Sequence, residues 1–262
     1  MSDLEELGHL LFETGLPLFV IGNGSNLLVA DGEHDIVGVR LQGTFCDLTW
    51  SVSDPDVSVY AGAGLDLPVA ARRLSSEGIV GFEWAVGVPG TFGGAVVMNA
   101  GGHGSDMASS VTSVSTFGPS GARTFAASSL KFAYRSSTLD RSLIVTGVNL
   151  TLQRGDAEDA KARVGEIVRW RREHQPGGHN AGSVFQNPDG DYAGRLIEAA
   201  HCKGLAYGSA HVSDKHANFV LVDSNGSAND VFTLITMVRE RVYEAFGVRL
   251  ESEHRFLGFE SA

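Results

Sequence analysis

Between residues 87 and 104 the chain places seven glycines (Gly87, Gly90, Gly93, Gly94, Gly101, Gly102 and Gly104), with Pro89 and Asn99 among them. Each glycine inside a helix costs about 1 kcal/mol relative to alanine, so this stretch excludes a regular helix and demands turns. Glycine-rich backbone can bring its N–H groups together on a phosphate and can lie flat against an extended planar ligand. The same density also suits tight turns between strands, and the glycines alone leave both readings open.

A second, shorter glycine loop follows the apolar run Leu18–Ile21, which has the composition of a buried strand: Gly22, Asn23, Gly24, Ser25, Asn26. It does not meet the dinucleotide fingerprint GxGxxG, because position 27 is Leu and Leu27–Asp31 reads as further strand. Gly62–Ala63–Gly64 fails the same test. A Rossmann fold is therefore disfavoured.

Of 262 residues, 43% are apolar and 19% charged, enough for a substantial core in one large or two ordinary domains. The net charge of −11 disfavours nucleic acid, whose binders cluster Lys and Arg against phosphates. Cys46 and Cys202 lack partners at metal-ligand spacing, so neither a disulfide framework nor a metal site is expected, and both read as buried thiols. An acidic N-terminus (Asp3, Glu5, Glu6) and the absence of an apolar run near the ~18 residues a bilayer requires predict a cytoplasmic protein without a membrane partner.

The element pattern is mixed. Ser2 and Glu5 form a capping box for a short amphipathic helix ending at Gly15 and Pro17. Asp66 can cap a second helix carrying Leu67, Ala70 and Leu74, with Gly78 beyond its end. Strands are expected over Val111–Phe117 and Leu143–Leu152. A charged segment at Arg154–Glu158 marks a domain boundary, and helices follow to about His174, over about Tyr192–Ala200, and over about Asp230–Phe246 with Gly247 as terminator. Near their middle, Asn180–Pro188 sets Ser183 behind a small-residue turn at the mouth of a short apolar strand. Such a serine serves either turn chemistry or a cleft.

Several strings occur in order: GNGSNLL at 22–28, GVPGTFGGAVVMNAG at 87–101, YRSS at 134–137, AGSVFQNP at 181–188, AGRLIEAAHCKG at 193–204, VSDKHANFVLV at 212–222 and FGVRLESEHRFLG at 246–258. Together, from about Leu18 to Gly258, they resemble the UDP-N-acetylenolpyruvoylglucosamine reductase (MurB) family of peptidoglycan synthesis. The resemblance implies an α+β fold, with an FAD-binding domain of the vanillyl-alcohol-oxidase (PCMH) type over 1–155 and a smaller α+β substrate domain over 156–262. Only 48 residues separate Arg135 from Ser183, which resembles the branch without a lid insertion.

Carried over onto matching positions, the resemblance implies that Gly22, Asn23, Gly24, Ser25, Asn26 and Leu27 lie at the FAD pyrophosphate. Gly87, Pro89, Gly90, Thr91, Gly93, Gly94, Asn99 and Gly101 would lie near the flavin and ribityl chain. Arg135, Ser183 and Glu253 match catalytic residues, and Tyr134, Asn187 and His216 match contacts to a UDP-sugar substrate. NADPH is implied as co-substrate. Read without the resemblance, Arg135 and Glu253 could equally be a structural ion pair and His216 a satisfied polar residue.

Two departures stand out. The family carries a longer segment before the strand at Leu18, so the first FAD subdomain is expected to be incomplete and flavin retention weak. Gln186 stands where the motif usually has lysine, removing a positive charge near anionic substrate groups. A flavin oxidase or dehydrogenase on the same fold, and a flavin-poor nucleotide-sugar-binding remnant, are the competing readings.

Overall fold

The computed structural model describes residues 2–140 and 142–259. Its helices are α1 (Ser2–Thr14), α2 (Leu67–Ser76), α3 (Phe92–Val97), α4 (Ala157–His174), α5 (Ala193–Ala199) and α6 (Ala228–Phe246). The first strands are β1 (Leu18–Val20), β2 (Leu27–Val29), β3 (Val37–Val39), β4 (Leu48–Ser53), β5 (Asp56–Gly62), β6 (Ile79–Val80), β7 (Gly101–Gly102) and β8 (Ser105–Asp106). The others are β9 (Val111–Gly118), β10 (Gly121–Ala126), β11 (Ile144–Arg154), β12 (Asn180–Ser183), β13 (Ala206–Tyr207), β14 (Ala210–Val212), β15 (Phe219–Val222) and β16 (Arg255–Leu257).

The chain forms two compact units, the first of residues 1–23 and 35–169, the second of 24–34 and 170–262. The division thus falls inside α4, not at 155/156, and the segment after Asn23 joins the C-terminal unit.

The first unit is built on an antiparallel sheet in the order β10-β9-β11-β5-β4, with β6 added to β11. Its strands alternate as half-buried strands should: Val57, Val59 and Ala61 point inward while Asp56, Ser58 and Tyr60 face solvent. Helix α2 closes that core with Leu67, Ala70, Ala71 and Leu74, all fully buried. Asp66 stands at its N-cap without a side-chain capping bond, because its carboxylate instead accepts from Asn23 Nδ2 at 2.6 Å.

The second unit packs α5 and α6 on the antiparallel sheet β12-β15-β14-β13. Val231, Leu234, Ile235, Val238 and Val242 form the buried stripe of α6. The helix starts two residues before the expected Asp230, because the Ser227 hydroxyl caps it by accepting from the N–H groups of Asn229 and Asp230.

Other expectations need correction. The six-residue helix α3 lies within the glycine-rich segment and contains Gly93 and Gly94. Close packing outweighs their helix penalty: Gly93 donates to the Ala63 carbonyl at 2.8 Å, and a Cβ there would sit 3.2 Å from Ala63. The capping box at Ser2 rests on a side chain outside the described ones, while Gly15 ends α1 left-handed (φ 66°) as expected. Strand β1 is half-buried, since it pairs only with β3 in a two-stranded parallel sheet. Cys202 is buried, but Cys46 is only half-buried. Burial raises both thiol pKa values above the ordinary one.

Candidate active site

Each unit carries its own part of the candidate site. In the first, the Asn23 side chain is engaged on both ends, donating to Asp66 and accepting from Arg40 Nη2 at 3.1 Å. Its exposed amide therefore ties the loop to α2 and to Arg40. Gly22 must be glycine for a similar reason, because a Cβ would lie 2.6 Å from Thr91 Oγ1, and Thr91 is itself buried. Gly22→Ala is expected to cost about 1–3 kcal/mol through overpacking. Thermal unfolding of the variant checks this, and adding Thr91→Ala, which removes the obstructing atom, should restore most of the loss.

The long glycine segment divides the same way. Gly101 is required by packing, since a Cβ would come within 2.6 Å of the Ser105 carbonyl. A Cβ on Gly87 would lie 3.2 Å from His103 and from Ile167. By contrast, a Cβ on Gly94 would meet nothing nearer than Thr91 Oγ1 at 3.9 Å. Gly90 takes a φ of 139° open to glycine, and its carbonyl accepts from Leu67 N–H at 3.0 Å. Asn99, left-handed at φ 42° and buried, donates to Asp106 and the Ala133 carbonyl and accepts from Ala108 N–H, each at 3.0 Å. Its side chain is a brace for the turn that carries Arg135.

That turn is tight. Ala133 and Ser136 exchange backbone hydrogen bonds at 3.0 and 3.1 Å, which holds Arg135 at φ 53°. Such a conformation is uncommon for a long side chain and persists where surrounding bonds over-determine it. Arg135 Nη1 donates to the Gly101 carbonyl at 3.0 Å, and the guanidinium lies 5.4 Å from the Tyr134 ring centroid. Tyr134 is exposed.

In the second unit Gly24 is left-handed (φ 70°) with open space where a Cβ would be, the cradle an approaching phosphate needs. Leu27 N–H closes the turn on the Gly24 carbonyl at 3.1 Å. Asn26 reaches elsewhere: its Nδ2 donates to the Glu253 carbonyl at 2.7 Å, and Arg255 N–H donates to the Asn26 carbonyl at 3.0 Å, beside the parallel pairing of β2 with β16.

The structure brings Glu253 against Val184, the residue after Ser183, although Ser183 and Glu253 are 70 residues apart in sequence. Glu253 N–H donates to the Val184 carbonyl at 2.8 Å, and Phe185 bridges Ser252. On the other edge the buried Asn218 imitates a strand, donating to the Phe185 carbonyl at 2.8 Å and accepting from its N–H at 2.9 Å. Ser183 is half-buried, and its hydroxyl makes no hydrogen bond among the described residues. Asn218 was not singled out from sequence. A lone amide inside the apolar run HANFVLV was the available signal.

Asn187 is exposed and accepts from Ala193 N–H at 3.0 Å at the start of α5. His216 is half-buried against the Phe219 ring, and its Nδ1 accepts from Asn218 N–H at 3.2 Å, so the neutral ring carries its proton on Nε2. Burial lowers its pKa, aided by the nearby Lys203 ammonium.

Among the described residues, no cluster of three or more His, Cys, Asp or Glu side chains could hold a metal ion, and no helix is long and apolar enough to cross a membrane.

Comparison with known proteins identifies both parts. Residues 1–124 match the FAD binding domain family, and residues 174–257 match the UDP-N-acetylenolpyruvoylglucosamine reductase C-terminal domain family. A UDP-N-acetylenolpyruvoylglucosamine reductase of Symbiobacterium thermophilum is 42% identical over 98% of this chain and 84% of its own length. That of Heliobacterium modesticaldum is 42% identical over 98% and 82%. The crystal structure of the Thermus caldophilus reductase superposes with a TM-score of 0.82 at 36% identity, over 97% of this chain and 89% of that one. This chain belongs to the UDP-N-acetylenolpyruvoylglucosamine reductase family.

Proposed function

We propose that this chain reduces UDP-N-acetylenolpyruvoylglucosamine to UDP-N-acetylmuramate for peptidoglycan synthesis, using FAD and NADPH, with Arg135, Ser183 and Glu253 as its catalytic residues. The observation that supports the assignment of roles is the backbone bond from Glu253 N–H to the carbonyl of Val184, the residue after Ser183, in a chain related to these reductases along 98% of its length.

Bound FAD would supply the methylene carbon of the enol ether with a hydride drawn from NADPH. The electron pair displaced from the double bond then collects on the neighbouring carbon, shared with the attached carboxylate, and that carbon must be protonated. Arg135 holds the carboxylate and stabilises the charge as it grows. Ser183 gives its hydroxyl proton to the carbon. A hydroxyl is a weak acid, so this transfer is credible only to a strongly basic carbon. Glu253, beside Ser183, holds a hydrogen bond or proton that favours the enolate-like form.

The open backbone at Gly24 and at Gly94 supports roles in holding FAD, and Ser25, Leu27 and Pro89 are the neighbouring residues proposed to line the same site. Tyr134, Asn187 and His216 are the proposed substrate contacts. The net charge of −11 supports a protein that does not bind nucleic acid, and a nucleotide-sugar substrate supports a reaction in the cytoplasm.

The purified protein supplied with FAD should bleach anaerobically with NADPH and recover its yellow colour on addition of UDP-N-acetylenolpyruvoylglucosamine. Bleached enzyme that stays colourless with that substrate overturns the assignment.

A further inference from the structure

We propose that His254 is a positioning residue that locks Ser183 and Glu253 in their relative places; the inference rests on the catalytic reading of those two residues.

Strand β12 is irregular where it matters. Asn180 pairs with Leu221 and Ser183 with Phe219, but the register shifts between them, and Gly182 turns left-handed there at φ 70°. A bulge of this kind re-aims the side chain that follows it, here Ser183, and takes nearby backbone groups out of the ladder. The regular sheet therefore does not by itself fix where the Ser183 hydroxyl points.

His254 spans that bulge. Its ring is buried (8% exposed), and Nε2 lies within hydrogen-bonding distance of the Ala181 carbonyl, the residue just before Gly182. A carbonyl only accepts, so Nε2 carries the proton. The His254 main chain is fixed in turn, its N–H donating to Ser252 Oγ at 3.0 Å while that hydroxyl donates to the Val184 carbonyl at 3.2 Å. From the opposite side Asn26 Nδ2 holds the Glu253 carbonyl at 2.7 Å.

The residue that follows Glu253 thus grips the strand two residues before Ser183, and Glu253 N–H grips it one residue after. The imidazole closes a ring of bonds around the pair of proposed catalytic groups. Without it the half-buried Ala181 carbonyl loses the imidazole N–H, and the bulge can relax. Burial also holds the His254 pKa below the ordinary value, in keeping with a ring whose role is to donate one fixed hydrogen bond.

The test measures the two half-reactions separately by anaerobic stopped flow on the full-length, FAD-loaded chain. His254→Ala should slow recovery of flavin colour by UDP-N-acetylenolpyruvoylglucosamine by about 10- to 100-fold, with bleaching by NADPH changed little. His254→Gln, which can place an N–H near the position of Nε2, should regain most of that rate, and His254→Asn, which is shorter, should not. Equal slowing of both half-reactions, or a glutamine variant no better than alanine, overturns the positioning role. Ser183→Ala run alongside separates the two claims: if it leaves colour recovery intact, the proton-donor reading falls. If it slows recovery while His254→Ala does not, only the inference about His254 falls. Should His254→Ala not fold, ring nitrogen NMR of the wild-type chain decides, a protonated Nε2 supporting the proposal and an unprotonated one overturning it.

Discussion

Ser183→Ala is expected to slow reduction of the enol ether by about 100- to 10,000-fold, the range for loss of a general acid, while NADPH still bleaches the enzyme at nearly the wild-type rate. The split follows from the proposed chemistry: hydride transfer from NADPH needs no proton donor aimed at the substrate, whereas the α-carbon of the enol ether does. Structure makes the variant a clean probe. The hydroxyl it deletes is bonded to nothing among the described residues, and the position is half-buried, so alanine leaves no orphaned partner and little cavity. Stability should change by less than about 0.5 kcal/mol. Stopped-flow absorbance of the two half-reactions checks the expectation, and equal slowing of both would assign Ser183 a structural role.

How such a site could be read from sequence depends on which forces build it. Helix α6 was legible because its burial stripe repeats at helical spacing and Gly247 ends it left-handed (φ 68°), both local signals. Helix α2 was legible for the same reasons, but the direction of the Asp66 carboxylate was not, because its partner Asn23 lies 43 residues away. Helix α3 was hidden, since two glycines oppose it locally and close packing on Ala63 supports it. The long glycine segment at 87–104 leaves ligand and turn readings both open in sequence, and in the structure Gly87, Gly93 and Gly101 are needed for close approach within the protein. The proposed catalytic residues were singled out through collinear motifs. Their juxtaposition was not: the Val184–Glu253 bond, the Asn218 imitation of a strand and the His254 grip on Ala181 all join segments distant in sequence.

Arg135 separates charge from geometry. Arg135→Lys keeps a cation but loses the planar fork that meets a carboxylate through two parallel bonds. In the structure one guanidinium donor is committed to the Gly101 carbonyl, which sets the plane of the group, and the left-handed turn at Ala133–Ser136 sets its root. A lysine ammonium has three donors on one atom and cannot both hold that carbonyl and present a fork. If charge at the growing enolate were all that mattered, Arg135→Lys would behave like wild type. If the oriented fork matters, it should fall close to Arg135→Ala, for which about 100- to 1,000-fold is expected in kcat, some 3–4 kcal/mol of transition-state stabilisation. The second outcome is expected, with KM for the enol ether rising in both variants because the same carboxylate is held in the ground state. Steady-state kcat and KM for the enol ether provide the check. A lysine variant with wild-type kcat would reduce Arg135 to a point charge and make its strained backbone irrelevant to the reaction.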